Sequence, residues 1–193
     1  MGSLRVITGK AKGHTLYAVP GDITRPIMDR VKESLFNILG ADIRDASLLD
    51  LFAGTGAVGI EALSRGAQFV RFVDRHPPAF RTIKSNLKKT KLGDAAEVLH
   101  QDAFDLLQQD ADRRFDYVYI APPQYERIWL RALRALDACP AWLTDYAWVI
   151  VQIDPVEEEP VALSNLQEFD RRQYGSTLLL FYILPPRDET EGT

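Results

Sequence analysis

The amino-acid sequence predicts an α/β domain, built on a mostly parallel sheet with helices on both faces. From residue 47 onward, short apolar segments alternate with segments in which apolar residues recur at helical spacing. Strict alternation of this kind is typical of parallel sheets, because each crossover helix returns the chain to the same edge. Two strand-like segments near the end are separated only by Gly175-Ser176, which predicts a closing antiparallel hairpin.

Each element of the sheet can be placed from its pattern. The parallel strands are expected at 47–52, 69–73, 95–99, 115–120 and 147–153. The helices between them are expected at about 57–65, 78–90, 103–109 and 126–138. The closing hairpin is expected to cover 166–174 and 176–184.

The segment ahead of the sheet is predicted to form an extension. Residues 4–8 and 15–19 have the pattern of two strands joined in a hairpin, and a helix is expected from about 28 to 39, ended by Gly40. We therefore divide the chain into an N-terminal extension over 1–44, a main domain over 45–185 and a flexible tail over 186–193.

Composition limits the classes of protein to which the chain can belong. At 193 residues and 46% hydrophobic content, it is long enough for one domain with a sizeable core. No apolar run approaches the ~20 residues that cross a bilayer, and no signal peptide opens the chain, so we expect a cytoplasmic protein without a membrane partner. The single cysteine, Cys139, excludes an internal disulfide, and the three histidines lack metal-ligand spacing. We expect no metal site, and a monomer.

The net charge of −4 conceals a strong asymmetry between the two halves of the chain. Residues 1–92 contain 15 Lys and Arg against 8 Asp and Glu, whereas residues 93–193 contain 8 against 19. A basic half of this kind indicates a docking surface for nucleic acid. The alternative is that folding mixes the two sets of charges in space, in which case the asymmetry has no function.

The most informative segment is the glycine-rich turn after the first predicted strand. Its spacing, Gly54-x-Gly56-x-x-Gly59, lets the backbone turn tightly and aims the amides of the next helix at a ligand. Asp50 lies inside the strand that leads into this turn. A carboxylate there repels a pyrophosphate but suits a ligand with an ammonium or sulfonium centre. S-adenosylmethionine carries both centres, so we expect it as the cofactor.

Acidic residues also follow the next two predicted strands, at the edge where ligands of open parallel sheets bind. Asp74 follows the second strand, about 20 residues beyond the first glycine, where an acid bonds ribose hydroxyls. Asp102 follows the third strand, where a carboxylate can accept from an adenine amino group, although it is also a candidate helix cap. The predicted cofactor residues are Asp50, Ala53, Gly54, Gly56, Asp74, Asp102 and Ala103.

The fourth predicted strand ends in a proline turn, Ala121-Pro122-Pro123-Gln124-Tyr125. Two consecutive prolines fix a rigid turn whose carbonyl oxygens cannot join a helix. Tyr125 offers a flat ring on which an extruded base can stack. We therefore assign Pro122, Pro123, Gln124 and Tyr125 to the acceptor base. The alternative is an ordinary strand-to-loop junction with a half-buried tyrosine.

Two motifs resemble a known family. Residues 25–37 (RPIMDRVKESLFN) and 49–67 (LDLFAGTGAVGIEALSRGA) are similar to those of bacterial small-subunit rRNA guanine-N2 methyltransferases of the RsmD type. The resemblance implies a Rossmann-like class I fold, dependence on S-adenosylmethionine, and methylation of a guanine N2 amine in 16S ribosomal RNA or a small-subunit assembly intermediate. It also implies that the N-terminal hairpin touches RNA, and the basic residues that fit phosphate contacts are Arg5, Lys10, Lys12, Arg25, Arg30 and Lys32.

The chain departs from this family at one important position. The family's catalytic motif reads Asp/Asn-Pro-Pro-Tyr, whereas Ala121 occupies the first position here and the aromatic residue is displaced by one. An oriented polar group at such a place contributes roughly 10²–10⁴ in rate. The carbonyl of Pro122 or the amide of Gln124 is available as a replacement.

Three alternatives to this enzyme stay open. The first is a catalytically silent module that binds S-adenosylmethionine or RNA, which the alanine at 121 favours. The second is a methyltransferase for another acceptor, such as a DNA base or a protein amide. A C5-pyrimidine enzyme would need a cysteine nucleophile, and Cys139 at a predicted helix end suits a structural role better. The third is an NAD-dependent oxidoreductase, which Asp50 disfavours.

Overall fold

The structure is a computed structural model in which residues 4–21, 27–123 and 126–186 are described. The helices are α1 (Asp29–Leu39), α2 (Ala57–Arg65), α3 (Pro77–Thr90), α4 (Ala103–Leu107) and α5 (Ile128–Ala138). The strands are β1 (Ser47–Leu51), β2 (Phe69–Asp74), β3 (Ala96–His100), β4 (Phe115–Ile120), β5 (Leu143–Ile153), β6 (Gln167–Tyr174) and β7 (Thr177–Ile183). None of the helices in those ranges is both long enough and apolar enough to cross a membrane.

These strands form one sheet in the order β3-β2-β1-β4-β5-β7-β6. Strands β1 to β5 pair in parallel with one another, β7 is antiparallel to β5, and β6 is antiparallel to β7. The order reverses beside β1, which lies between β2 and β4, so a crevice opens at the carboxyl ends of these strands. The predicted fold class, a mostly parallel sheet with a closing antiparallel hairpin, is confirmed.

Helices cover both faces of the sheet, and the central strand is therefore buried along its whole length. Every residue of β1 is buried, and alternate side chains point to opposite faces. Leu48 packs into a core under α1, α2 and α3, whereas Leu49 and Leu51 pack into a second core under α4 and α5. Full burial of one leucine side chain stabilises a fold by about 1.5–3 kcal/mol. This burial makes β1 a rigid support for the turn that follows it.

The largest boundary error concerns β5, which begins at Leu143 rather than at the predicted residue 147. Its register with β4 shifts between Phe115 and Tyr117, and Tyr146 has a φ of +63°. Asp145 and Tyr146 are exposed, which interrupts the apolar pattern just where the strand is irregular. The sequence pattern therefore did not predict that residues 143–146 belong to β5.

The N-terminal segment forms the predicted hairpin, but its paired part is shorter than the two predicted strands. Residues 4–6 and 13–16 are joined by an antiparallel bridge between Arg5 and Thr15 and by three backbone hydrogen bonds of 2.6–2.9 Å. The backbone amides of Ile7 and Thr8 donate instead to the carboxylate of Glu61 in α2, at 2.8 and 3.0 Å. The pairing ends at Val6 because the next two backbone donors are satisfied by a helix side chain rather than by a second strand.

Candidate active site

A cavity of about 670 Å³ opens at the carboxyl ends of the parallel strands, where the order of the sheet reverses. Its size lies within the range of roughly 300–1,000 Å³ that is usual for small-molecule sites. Six of the seven predicted cofactor residues line it, namely Asp50, Ala53, Gly54, Asp74, Asp102 and Ala103. Within the described ranges, no group of three His, Cys, Asp or Glu side chains is arranged to hold a metal ion.

The glycine turn uses its glycines for two different reasons. Gly54 and Gly56 have φ angles of +56° and +76°, in the left-handed region that side chains disfavour. Gly59 lies inside α2, where an added Cβ would come within 2.3 Å of the ring of Phe72. The first two glycines therefore shape the turn, and the third lets α2 pack directly on β2. Gly56 is the one predicted cofactor residue that does not line the cavity, and it contributes by shaping the turn.

Asp50 is a buried carboxylate in the wall of the cavity, with an exposed fraction of 2%. Its Oδ2 atom accepts the backbone N–H of Gly59 at 3.2 Å. Burial disfavours the charged form and raises the pKa of Asp50, and repulsion from Asp74 raises it further. The hydrogen bond from Gly59 lowers the pKa by less, so the net result is a pKa of about 8. A cation in the cavity would favour the charged carboxylate, which is the electrostatic reason that this wall suits a cationic ligand.

Asp74, at the end of β2, ties the glycine turn to the sheet. Its Oδ2 atom accepts the backbone N–H of Gly54 at 2.8 Å, and its Oδ1 atom accepts that of His76 at 2.8 Å. Each oxygen of a carboxylate has a second lone pair, and Asp74 lines the cavity. The residue can therefore position the turn and accept a ligand hydroxyl at the same time.

Asp102 caps α4, as the alternative interpretation of this residue predicted. Its Oδ1 atom accepts the backbone N–H of Phe104 at 2.8 Å, and its Oδ2 atom lies 3.4 Å from Nη1 of Arg75. Asp102 and the buried Ala103 also line the cavity. Capping and ligand contact are compatible, because a carboxylate offers about four lone-pair sites.

The proline turn after β4, the strand next to β1, forms a second wall of the cavity. Ala121, Pro122 and Pro123 all line it. Gln124 and Tyr125, which were assigned to the acceptor base, lie outside the described residues. Alanine and proline side chains carry no hydrogen-bonding atoms, so positions 121–123 can offer the cavity only polar atoms of the backbone.

Two polar residues of this wall, Tyr119 and Gln152, were not predicted from the sequence. Both line the cavity, and the Tyr119 hydroxyl donates to Oε1 of Gln152 at 2.5 Å. Burial raises the pKa of Tyr119 well above its ordinary value, so the hydroxyl keeps its proton and remains a donor. One available signal was that Gln152 interrupts an apolar run at the end of a predicted strand, as Asp50 does.

The basic residues of the N-terminal region differ in their exposure. Arg5, Lys10, Lys12 and Arg30 are exposed, although Arg5 also pairs with Asp29 at 3.0 Å. Arg25 lies outside the described residues. The four exposed side chains are therefore able to meet a polyanion.

Lys32 does not belong to this basic surface, and its assignment to RNA is wrong. The side chain is fully buried on the inner face of α1. Its Nζ atom donates to the backbone oxygen of Arg5 at 2.5 Å and lies 3.6 Å from the Glu61 carboxylate. Burial lowers the pKa of Lys32, while Glu61 opposes that shift. A lysine held in this way joins α1, α2 and the N-terminal segment, and it is not accessible to a phosphate.

Three known proteins similar to this chain are covered by it over almost their whole length. The chain is 40% identical over 181 residues to the Bacillus subtilis (strain 168) protein YlbH, covering 93% of this chain and 98% of that protein. It is 32% identical over 191 residues to Ribosomal RNA small subunit methyltransferase D of Escherichia coli (strain K12), covering 99% and 95%. Among solved structures, the Escherichia coli protein yhhF matches with a TM-score of 0.83 and 31% identity, covering 95% of this chain and 99% of that chain.

The family described as Conserved hypothetical protein 95 matches residues 4–183. The matched range contains the glycine turn, the proline turn and every described residue of the cavity wall. The family resemblance inferred from the two sequence motifs is confirmed by this match and by the 32% identity to the Escherichia coli relative. The chain belongs to the Conserved hypothetical protein 95 family.

Proposed function

We propose that this protein transfers a methyl group from S-adenosylmethionine to the exocyclic N2 of a guanine in small-subunit (16S) ribosomal RNA. The observation that carries the proposal is one cavity with two unlike walls, the glycine turn with Asp50 on one side and the proline turn on the other. The first wall suits a small cationic cofactor, and the second suits a base. The name of the Escherichia coli relative, a ribosomal RNA methyltransferase, supports RNA as the acceptor.

The cofactor is held by the glycine-turn wall. S-adenosylmethionine supplies a methyl group that is already activated by its positively charged sulfur, so the chain has only to bind and orient it. Asp50 balances the positive charge, Asp74 accepts from the ribose, and Asp102 faces the adenine. Ala53, Gly54, Gly56 and Ala103 complete this set by letting the backbone approach the ligand closely.

The acceptor base is held by the proline-turn wall. Pro122 and Pro123 keep the turn rigid, and the carbonyl of Pro122 accepts from an amino group. Gln124 and Tyr125 complete the assignment, with the tyrosine ring stacking on a base that has left its helix. A base bound there faces the cofactor across the same cavity.

The N-terminal extension, residues 1–44, docks the RNA, and the main domain over 45–185 performs the transfer. Arg5, Lys10, Lys12, Arg25 and Arg30 contact phosphates, which positions the RNA without reading its sequence. Lys32 is excluded from this set because it is buried. The protein acts as a monomer in the cytoplasm. Residues 187–193, most of the predicted tail, lie outside the described residues.

The proposal is tested by transfer of labelled methyl to small ribosomal subunits that lack their native guanine-N2 methylation. Digestion and mass spectrometry then identify the methylated nucleoside. We expect N2-methylguanosine at one site. Transfer to a different atom, or to DNA or protein offered in parallel, would overturn the proposed acceptor while leaving the methyltransferase intact.

A second function, a silent binder of S-adenosylmethionine or RNA, is favoured by one observation. Ala121 brings no polar side chain to the acceptor wall. If that loss were complete, calorimetry would detect cofactor binding while no acceptor became methylated. Ala121→Asp would then create activity that the native chain lacks, because it would place a hydrogen-bond acceptor on that wall.

A further inference from the structure

We propose that Gln152, on the strand beside the proline turn, is the side chain that holds the amino group of the target base. The inference rests on the proposed function, since it names the group that recognises the acceptor. It assigns the polar contact of the acceptor wall to β5 rather than to the turn itself.

The sheet register places Gln152 beside the turn. In the parallel pairing of β4 and β5, Tyr119 is opposite Ile150 and Ile120 is opposite Val151. The next step along both strands brings Gln152 alongside Ala121. Because side chains alternate along a strand, Gln152 points to the same face as Ile150 and Tyr119. It therefore lies beside Ala121 on the same face of the sheet, and both residues line the cavity.

The Gln152 amide is held in a defined orientation. Its Oε1 atom accepts the Tyr119 hydroxyl at 2.5 Å, and that hydroxyl is fixed in a phenol ring that is 3% exposed. The oxygen keeps a second lone pair, and the amide nitrogen keeps two N–H donors that make no hydrogen bond within the described residues. A positioned amide therefore presents one acceptor and one donor, side by side, to the cavity.

This pair of groups is complementary to an amino purine. On guanine, the N2 amino group is a donor and lies next to N3, which is an acceptor. Gln152 can accept from N2–H through Oε1 and donate to N3 through Nε2, in the way that Gln and Asn bind paired donors and acceptors on base edges. The hydroxyls of Ser176 and Thr177 also line the cavity, but a hydroxyl does not offer a planar donor and acceptor together.

The contact would orient the nitrogen for transfer. The lone pair of N2 forms the new bond to the methyl carbon, and the electron pair of the breaking carbon–sulfur bond stays on sulfur. The methylated nitrogen then carries an extra proton, which it loses to water. Gln152 stays neutral throughout, and it acts by accepting from N2–H so that the lone pair faces the methyl group.

The test compares methyl transfer by four variants on the undermethylated small subunits described above. Gln152→Ala removes the amide, and Tyr119→Phe removes only the hydroxyl that holds it. Ala121→Asn is introduced alone and together with Gln152→Ala, so that an amide is returned from the neighbouring strand. Gln108→Ala is the matched control, because Gln108 is an exposed glutamine at the end of α4 and is not among the residues that line the cavity.

We expect Gln152→Ala to lower kcat about 100-fold, as loss of one positioned polar group does in other enzymes. Tyr119→Phe should lower it about 10-fold, since the amide remains but is less constrained. The affinity for S-adenosylmethionine, measured by calorimetry, should stay unchanged in both variants. Adding Ala121→Asn to the Gln152→Ala variant should raise its kcat at least about 10-fold. Gln108→Ala should behave as the native protein.

Three results would overturn the inference. The first is a Gln152→Ala variant whose kcat equals that of the native protein. If Gln124→Ala then lowers kcat, the contact with the amino group belongs to the proline turn. The second is a fall in cofactor affinity and melting temperature that matches the fall in kcat, which would indicate a structural role. The third is failure of Ala121→Asn to restore any activity. Absence of transfer by the native protein would instead overturn the proposed function, and the inference with it.

Discussion

The Oδ2 atom of Asp74 accepts the backbone N–H of Gly54 at 2.8 Å, so the end of one strand fixes the turn after its neighbour. Gly54 has a φ of +56° and provides no side chain that could hold this conformation by itself. The shape of the cofactor wall therefore depends on a residue 20 positions further along the chain.

Asp74→Ala should weaken binding of S-adenosylmethionine at least about 10-fold, measured by calorimetry. It removes a charged acceptor from two backbone amides, and hydrogen bonds to charged groups contribute about 1.5–3 kcal/mol each. It also removes the acceptor that we assign to the ribose. Asp105→Ala, at an exposed position of α4, is the control. Unchanged affinity in Asp74→Ala would remove Asp74 from the proposed site.

Binding of S-adenosylmethionine should tighten as pH rises through about 8. Burial raises the pKa of Asp50 to about 8, so in the free protein the carboxyl is mostly protonated below that pH. The cationic ligand favours the ionised form, and binding should therefore release a proton. Calorimetry in buffers of different ionisation enthalpy measures this release. Asp50→Asn should bind more weakly and show no such pH dependence.

Asp50 should have the opposite effect on the stability of the free protein, which should fall as pH rises. The pKa of Asp50 is about 8 in the folded state and near its ordinary value of 3.8 in the unfolded state. The folded state binds more protons between these two values, so this group lowers the free energy of unfolding as pH rises through that window. Thermal unfolding without ligand should show Asp50→Asn more stable than the native chain at pH 8. Identical pH profiles for the two would show that Asp50 is already ionised in the folded state.

Glu61→Gln should destabilise the fold more than Lys32→Met does. Glu61 is fully buried and is bonded to the amides of Ile7 and Thr8 and to Arg65, with Lys32 nearby at 3.6 Å. Neutralising it leaves a buried ammonium without a counter-charge, and breaking such a pair costs about 3–5 kcal/mol. Lys32→Met leaves Glu61 paired with Arg65, so the cost is smaller. Thermal denaturation checks the ranking, and equal losses would contradict it.

RNA affinity should fall with Lys10→Ala, Lys12→Ala or Arg30→Ala, and the salt dependence should fall with it. Each phosphate contact that is lost lowers the slope of log affinity against log salt by about 1. Arg113→Ala is the control, because this exposed arginine precedes β4 in the main domain and is not part of the N-terminal extension. Affinities measured at several salt concentrations decide the matter. A slope unchanged in all three variants would place the RNA on another surface.

Local patterns were sufficient to predict most of the fold. The alternation of apolar segments predicted the parallel sheet, and Gly175-Ser176 predicted the closing hairpin. The glycine turn could also be predicted from the sequence. The positive φ angles of Gly54 and Gly56 favour glycine at those positions whatever the rest of the fold. Six of the seven predicted cofactor residues line one cavity because the carboxyl ends of parallel strands meet at one edge.

The sequence by itself determined the elements, their order and the acidic wall of the cavity, because propensity and periodicity act over a few neighbouring residues. Only the tertiary structure decided which polar side chains are buried and what they meet. In the sequence, Lys32 looks like a surface lysine. In the structure it is buried beside Glu61, which belongs to another helix. Tyr119 and Gln152 are 33 positions apart and meet only because β4 and β5 are neighbours in the sheet. Contacts of this kind depend on packing between distant segments, which no local pattern records.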